Sequence, residues 1–310
     1  MNVAVIDIGT NTVLLLVARF DPSGNITPLV YDQRVPRLGR GVDAEGNLQH
    51  ESMERVLIVL QEYKTILSRF ELAALVVCGT SAVRDSRNRE VFARLVRDRV
   101  GFELEIVSGP DEALWTYRGA ISGVQGVRKA TVVDTGGGST EITVGDCQTI
   151  VNKVSLNMGS VRLTERCFTH DPPTASELET AIKIVEEQLA VLREFDFGGS
   201  TLIGVAGTAT SLAILDQGLK EFSISAVTNY TLRRERVRGL FNTLRTLPSS
   251  RIKGLSTVME GRSDVITAGT LILYEIMSHY KFDEMIVSER GVRYGLAIRE
   301  WGIQKIRSGR

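Results

Sequence analysis

Val3-Ala-Val-Ile-Asp-Ile-Gly-Thr-Asn-Thr12 is echoed later in the chain by Ala130-Thr-Val-Val-Asp-Thr-Gly-Gly-Gly-Ser-Thr140. Each is an apolar strand pattern that ends in Asp and opens into a turn of Gly, Ser and Thr. A second pair follows in the same order: Val76-Val-Cys-Gly-Thr-Ser-Ala82 and Val205-Ala-Gly-Thr-Ala-Thr-Ser211. Asp7 precedes Gly79 by 72 positions and Asp134 precedes Gly207 by 73, so order and spacing are both kept. The spacing predicts a duplication, two related α/β domains facing each other across a cleft.

The surrounding pattern supports an α/β class. Further short apolar runs at Val13–Phe20, Leu104–Val107, Glu141–Val144 and Met285–Val287 read as strands. Residues 51–70 space Met53, Val56, Leu57, Leu60, Tyr63 and Leu67 at helical intervals. A second helix is expected over 174–195, opened by Pro172–Pro173 and a Thr174/Glu177 capping box, and a third over 264–280. Strands alternating with helices, on a chain of 310 residues with 43% hydrophobic residues, fit two domains with mixed sheets. The boundary is expected in the weakly periodic stretch Gly119–Lys129, giving domains 1–124 and 125–310.

Composition narrows the partners. Lys+Arg and Asp+Glu both number 37, so no overall field draws in nucleic acid or an anionic membrane, and a polyanion must be held by local geometry. Cys78, Cys147 and Cys167 lie far apart without metal-ligand spacing, which suits buried thiols in a reducing cytoplasm. The N-terminus lacks the pattern of a signal peptide and no apolar run is long enough to span a bilayer. His50, His170 and His279 fall in no motif, and no His/Asp set accompanies the Gly-Thr-Ser and Gly-Gly-Ser-Thr serines, which excludes a serine hydrolase.

A glycine-rich turn lets backbone N–H groups approach an anion, and neighbouring hydroxyls add donors. Gly9, Thr10, Asn11 and Thr12 form one such turn, and Gly136, Gly137, Gly138, Ser139 and Thr140 the other. Neither is a Walker loop or a dinucleotide fingerprint. Asp7 and Asp134 end their strands where a carboxylate can hold a hydrated Mg2+ against phosphate oxygens, and Glu141 can return to the same ion. The residues alone leave a second role open for all three, capping backbone N–H groups.

These motifs, with Gly79-Thr-Ser-Ala-Val-Arg84, Ser108-Gly-Pro-Asp-Glu-Ala113, Gly261-Arg-Ser-Asp-Val-Ile-Thr-Ala-Gly269 and Ser288-Glu-Arg-Gly-Val-Arg-Tyr-Gly-Leu296, run along essentially the whole chain. Together they resemble the exopolyphosphatase / guanosine pentaphosphate phosphohydrolase family, within the superfamily of actin, sugar kinases and heat-shock chaperones. The resemblance implies duplicated ribonuclease-H-like (actin-like ATPase) domains, with a last helix from about Gly291 packing back on the first. It implies Glu112 as the catalytic base and Arg84 as a phosphate clamp, and the chemistry agrees: a water must be oriented in line and equatorial charge absorbed. Gly207 and Thr208 join the phosphate-binding set. Arg262 is open between substrate contact and a scaffold pairing with Asp264, and Asp111 stands where the family more often carries Glu. Arg34, Arg37 and Arg40 form a basic segment read as a solvated face.

The expected reaction is hydrolysis of the terminal phosphate of inorganic polyphosphate, with removal of the 5′ γ-phosphate of guanosine pentaphosphate as the close alternative. A kinase of the same superfamily and a non-catalytic alarmone or polyphosphate sensor are the rivals from other classes. Longer family members carry a further helical domain of the metal-phosphohydrolase type. This sequence ends at Arg310 without it, so chain grip or homodimer contacts that depend on that domain are not implied.

Overall fold

The computed structural model describes residues 1–146 and 149–307, so the expectation for Cys147 lies outside the described residues. By its contacts the chain falls into two units, Met1–Gly119 joined by the segment from Val292, and Ala120–Gly291.

In the first unit, strands β1 (Asn2–Ile8), β2 (Val13–Phe20), β3 (Ile26–Arg34), β4 (Ala74–Gly79) and β5 (Leu104–Ile106) form a mixed sheet of order β3-β2-β1-β4-β5. In the second, β6 (Lys129–Thr135), β7 (Thr140–Asp146), β8 (Ile150–Leu156), β9 (Thr201–Val205), β10 (Tyr230–Arg233) and β11 (Glu284–Val287) run in the order β10-β11-β9-β6-β7-β8. Reading the second sheet backwards from β8 repeats the first, with β10 added at the edge. The likeness extends to defects, because the register slips at Val17/Ala18 in β2 and at Val144/Gly145 in β7, the same place along each strand. A bulge kept at one position twists both edge hairpins alike. The duplication is thus a property of the backbone as well as of the motifs.

Alternation along β1 sorts its side chains onto two covered faces. Ala4, Ile6 and Ile8 meet the helices His50–Leu67 and Arg89–Val100, through Val56, Leu57, Leu60, Phe92 and Val96. Val3 and Val5 share the opposite cluster with Leu16, Cys78, Tyr294 and Leu296, beneath the helix Val292–Arg307. In the second unit, Val133, Ile142 and Leu202 pack under the helices Ala175–Leu189, Ala206–Asp216, Arg234–Leu244 and Ile266–His279. The helix Ala175–Leu189 opens on the capping box expected from sequence: Thr174 Oγ1 accepts from the Glu177 backbone N–H, and Glu177 Oε2 accepts from that of Thr174 at 2.8 Å. Cys78 and Cys167 are buried free thiols, and burial pushes both up from the ordinary range. Among the described residues no helix is long and apolar enough to cross a membrane.

Candidate active site

The two glycine turns close in the same way. The Gly9 N–H donates to the Thr12 carbonyl at 2.9 Å, and the Gly136 N–H to the Ser139 carbonyl at 3.0 Å. Each turn joins the antiparallel strands that begin its sheet, so the strand-ending aspartates Asp7 and Asp134 occupy equivalent stations.

In the first unit, the turn Gly9–Thr12 is braced from outside. The Gly39 N–H donates to the Thr10 carbonyl at 2.8 Å and the Arg37 N–H to that of Asn11 at 3.1 Å. Arg37 takes a left-handed φ of 56°, a strained state for a residue with a side chain, to make that contact. Of the basic segment, Arg34 is paired with Asp32 and Glu62, while Arg40 is exposed. Next to the turn, β4 runs parallel to β1 and delivers Gly79 and Thr80 beside Ile8. The short helix Ser81–Arg84 then places Arg84 at its end. Arg84 Nη1 donates to Glu112 Oε2 at 2.6 Å and to the Val107 carbonyl at 3.2 Å. Glu112 is 7% exposed and lies in the first turn of the helix Gly109–Ile121. Asp111 accepts from the Ser108 hydroxyl at 2.6 Å, and Ser108 Oγ accepts from the Asp111 N–H, so this pair caps the helix and leaves Glu112 to Arg84.

In the second unit, Asp134 and Glu141 are cross-strand partners, with Ser155 opposite Glu141 on β8. Residues directly opposed in an antiparallel pair project on one face, so the two carboxylates are neighbours. The Ser155 hydroxyl donates to Glu141 Oε1 at 2.6 Å. The turn Gly136–Ser139 is seated on the start of the helix Ser160–Cys167: the Ser160 N–H donates to the Gly136 carbonyl at 2.9 Å, and those of Val161 and Arg162 to the Gly137 carbonyl. This seat was not read from sequence, although Gly159-Ser160 before an amphipathic run carries a helix-start signal.

Gly207 and Arg262 are brought together closely enough to explain the glycine. A Cβ on Gly207 would lie 1.3 Å from Arg262 Nη1, so the guanidinium occupies the space a side chain would need. Ala206 before it takes φ 65° as the chain leaves β9 and enters the helix Ala206–Asp216, and Thr208 Oγ1 donates to the Thr135 carbonyl at 3.3 Å. Ser139 is buried, and the fully buried Thr140 hydroxyl donates to the Met158 carbonyl at 2.8 Å. Thr140 thereby ties the turn to the segment at Met158.

Metal chemistry depends on the donor set. Among the described residues no group of three or more His, Cys, Asp or Glu side chains is placed to hold an ion. Asp134 beside Glu141 offers hard carboxylate oxygens on adjacent strands, which suits an ion that takes one or two carboxylates and completes its shell with water and phosphate.

Residues 16–302 match the Ppx/GppA phosphatase family. The chain is 34% identical over 313 residues to exopolyphosphatase 2 of Mycobacterium tuberculosis, covering 96% of this chain and 98% of that protein. It is similar in structure to a crystallised Ppx/GppA family member of Aquifex aeolicus, with a TM-score of 0.83, 30% identity and 98% of each chain covered. It is also 28% identical over 298 residues to guanosine-5′-triphosphate,3′-diphosphate pyrophosphatase of Vibrio atlanticus, covering 95% of this chain but 58% of that one.

Proposed function

Because the chain belongs to the Ppx/GppA phosphatase family, we propose that it is a cytoplasmic, Mg2+-dependent exopolyphosphatase that hydrolyses the terminal phosphoanhydride bond of inorganic polyphosphate. The observation that carries the reading is the Arg84–Glu112 pair, 2.6 Å apart and mostly shielded from solvent. Phosphoryl transfer to water needs a carboxylate to orient or deprotonate the water, and cationic donors on the phosphoryl oxygens that gain charge. Glu112 takes the first role and Arg84 the second, where a planar guanidinium can grip two oxygens at once.

Each unit, taken by itself, carries residues that can bind phosphate. In the first, Gly9, Thr10, Asn11 and Thr12 supply N–H and hydroxyl donors. In the second, Gly136, Gly137, Gly138, Ser139, Gly207 and Thr208 do so, with Arg262 as a further cation. Asp134 and Glu141 would hold Mg2+, which when bound offsets negative charge on phosphate oxygens.

A second reading, removal of the 5′ γ-phosphate of guanosine pentaphosphate, draws on the similarity to the Vibrio atlanticus pyrophosphatase. Orthophosphate release measured side by side on the two substrates decides between them: a higher kcat/KM on polyphosphate is expected, and the reverse order selects the alarmone. No release from either substrate at any divalent cation concentration would leave a phosphate-binding protein without turnover.

Gly207→Ala tests the Arg262 cradle. The obstructing atoms are the far end of a flexible side chain, so the fold should persist while the guanidinium is driven off its seat. KM for polyphosphate is expected to rise by about tenfold, the loss of one charge-assisted contact. An unchanged KM assigns Arg262 to scaffold.

A further inference from the structure

In each unit, the segment that follows the third strand of the sheet takes up carbonyls of the glycine turn from outside. In the second unit residues 157–162 lead into the helix Ser160–Cys167, whose first N–H groups bond the Gly136 and Gly137 carbonyls. In the first unit the brace is residues 36–41, whose Gly39 and Arg37 N–H groups bond the Thr10 and Asn11 carbonyls. Each brace presses a glycine on its turn. A Cβ on Gly159 would lie 2.5 Å from the Gly137 carbonyl oxygen, and one on Gly39 would lie 2.3 Å from Thr10 Cγ2.

The two braces are held by different means. The second belongs to a helix and is fixed by that helix's own hydrogen bonds. The first is a loop between β3 and the short helix Val42–Glu45, and it carries Arg37 at φ 56°, a conformation that persists only where the surroundings enforce it. Two anchors do so. Leu38 is fully buried in the cluster that holds Met53, Val56 and Leu57. On the other side of Arg37, the Pro36 carbonyl accepts from Arg55 Nε at 2.8 Å. Arg55 is fixed in turn on the helix His50–Leu67, its Nη1 donating to Glu51 Oε1 at 3.0 Å and its Nη2 to the Ser52 hydroxyl at 2.7 Å. Every nitrogen of the guanidinium fork is thereby engaged, a task that a lysine ammonium cannot copy.

Peptide planarity carries the position of the brace into the turn. In a trans peptide the carbonyl and the following N–H point in opposite directions. The Asn11 carbonyl, drawn towards the Arg37 N–H, therefore turns the Thr12 N–H away from the brace.

We infer that Arg55 is a positioning residue for phosphate binding in the first unit: it fixes the brace at Pro36, and the brace aims the Thr12 N–H at a phosphate oxygen. The inference rests on the phosphoanhydride reading above for its ligand class.

The test uses inorganic tripolyphosphate and the full chain in EDTA, where neither metal nor turnover contributes. In the isotope-labelled wild type the Thr12 amide resonance is expected to shift downfield as the N–H donates to phosphate. Arg55→Met should weaken calorimetric binding by about tenfold, the loss of one hydrogen bond to a charged group, and should diminish that shift. Arg55→Lys, which keeps one donor for the Pro36 carbonyl, should fall between the two. With Mg2+ restored, the loss in Arg55→Met should appear as a higher KM for polyphosphate at an unchanged kcat, because the brace acts on binding and not on the reacting bond. A residue serving stability alone would lower the melting temperature and leave the affinity of the folded chain as it was. If Arg55→Met does not fold, Gly39→Ala, which displaces the same turn at Thr10 from the brace side, is read in its place with the same expected loss. Wild-type affinity in the variant read, a fall in kcat with KM unchanged, a Thr12 amide unmoved by tripolyphosphate, or no binding by the wild type overturns the inference. Tripolyphosphate bound with the Thr12 shift but never hydrolysed when Mg2+ is restored overturns only the hydrolase reading.

Discussion

Glu112→Gln is expected to slow orthophosphate release from polyphosphate by about 10²–10⁴-fold, the usual contribution of a positioned general base. The substitution keeps the shape of the side chain and its place in the first turn of the helix Gly109–Ile121. It removes the carboxylate's ability to take a proton from water, and it replaces the ion-paired hydrogen bond from Arg84 Nη1, 2.6 Å long, with a weaker one to an uncharged amide oxygen. The two losses separate in the kinetics. Proton abstraction is felt in kcat, because that interaction develops in the transition state. Release of Arg84 from its carboxylate partner is felt in KM, which should stay level or fall as the guanidinium becomes freer to hold phosphate. Steady-state phosphate release, with a thermal melt to show that the fold is intact, checks both. Equal kcat values for the variant and the wild type would remove Glu112 from the reaction.

How much of this was legible in the sequence depends on how local each signal is. The central strands are buried on both faces, so β1, β4, β6 and β9 stand out as apolar runs that end in a Gly or Asp turn. The edge strands do not. β3 is Ile-Thr-Pro-Leu-Val-Tyr-Asp-Gln-Arg, half-buried to exposed throughout and interrupted by Pro28, and β8 and β10 are similarly mixed. All three passed unread because one side of an edge strand has no apolar requirement to write into the sequence. Ala206 reads as the end of β9, yet it is the left-handed residue that starts the next helix, and its type gives no hint of that conformation.

The site shows the same division. The glycine turns are local and carry their chemistry in a few consecutive residues. Arg84 and Glu112 could each be singled out from their motifs, but their hydrogen bond follows from β4 and β5 lying side by side, with the Val107 N–H donating to the Gly79 carbonyl at 3.0 Å. Arg293 is further still from local reading. Its surroundings come from β1, β2 and β3 at one end of the chain and a helix at the other, so only the packed sheet reveals that a motif arginine is a core cation.

That same helix gives the largest effect expected on stability, at Gly295. Glycine inside a helix is ordinarily about 1 kcal/mol worse than alanine, so Gly295→Ala should stabilise the chain if propensity decided the matter. A Cβ there, however, would lie 1.8 Å from the Trp115 carbonyl oxygen and 2.5 Å from its carbon. Backbone cannot swing aside as a side chain can, so the two helices must separate, and overpacking of this kind outweighs propensity by about 3 kcal/mol. Trp115 is one turn beyond Glu112 on the helix Gly109–Ile121, so the displacement also reaches the candidate base. Gly302 supplies the control, since it lies in the same helix but a Cβ there meets nothing within 4 Å. Gly302→Ala is expected to raise stability by up to about 1 kcal/mol, and Gly295→Ala to lower it by about 3 kcal/mol with a fall in kcat. Denaturant midpoints of the two variants, read with their phosphate-release rates, measure both. A Gly295→Ala chain as stable as Gly302→Ala would mean that helix separation carries no cost, and the close approach would then be no constraint on where Glu112 stands.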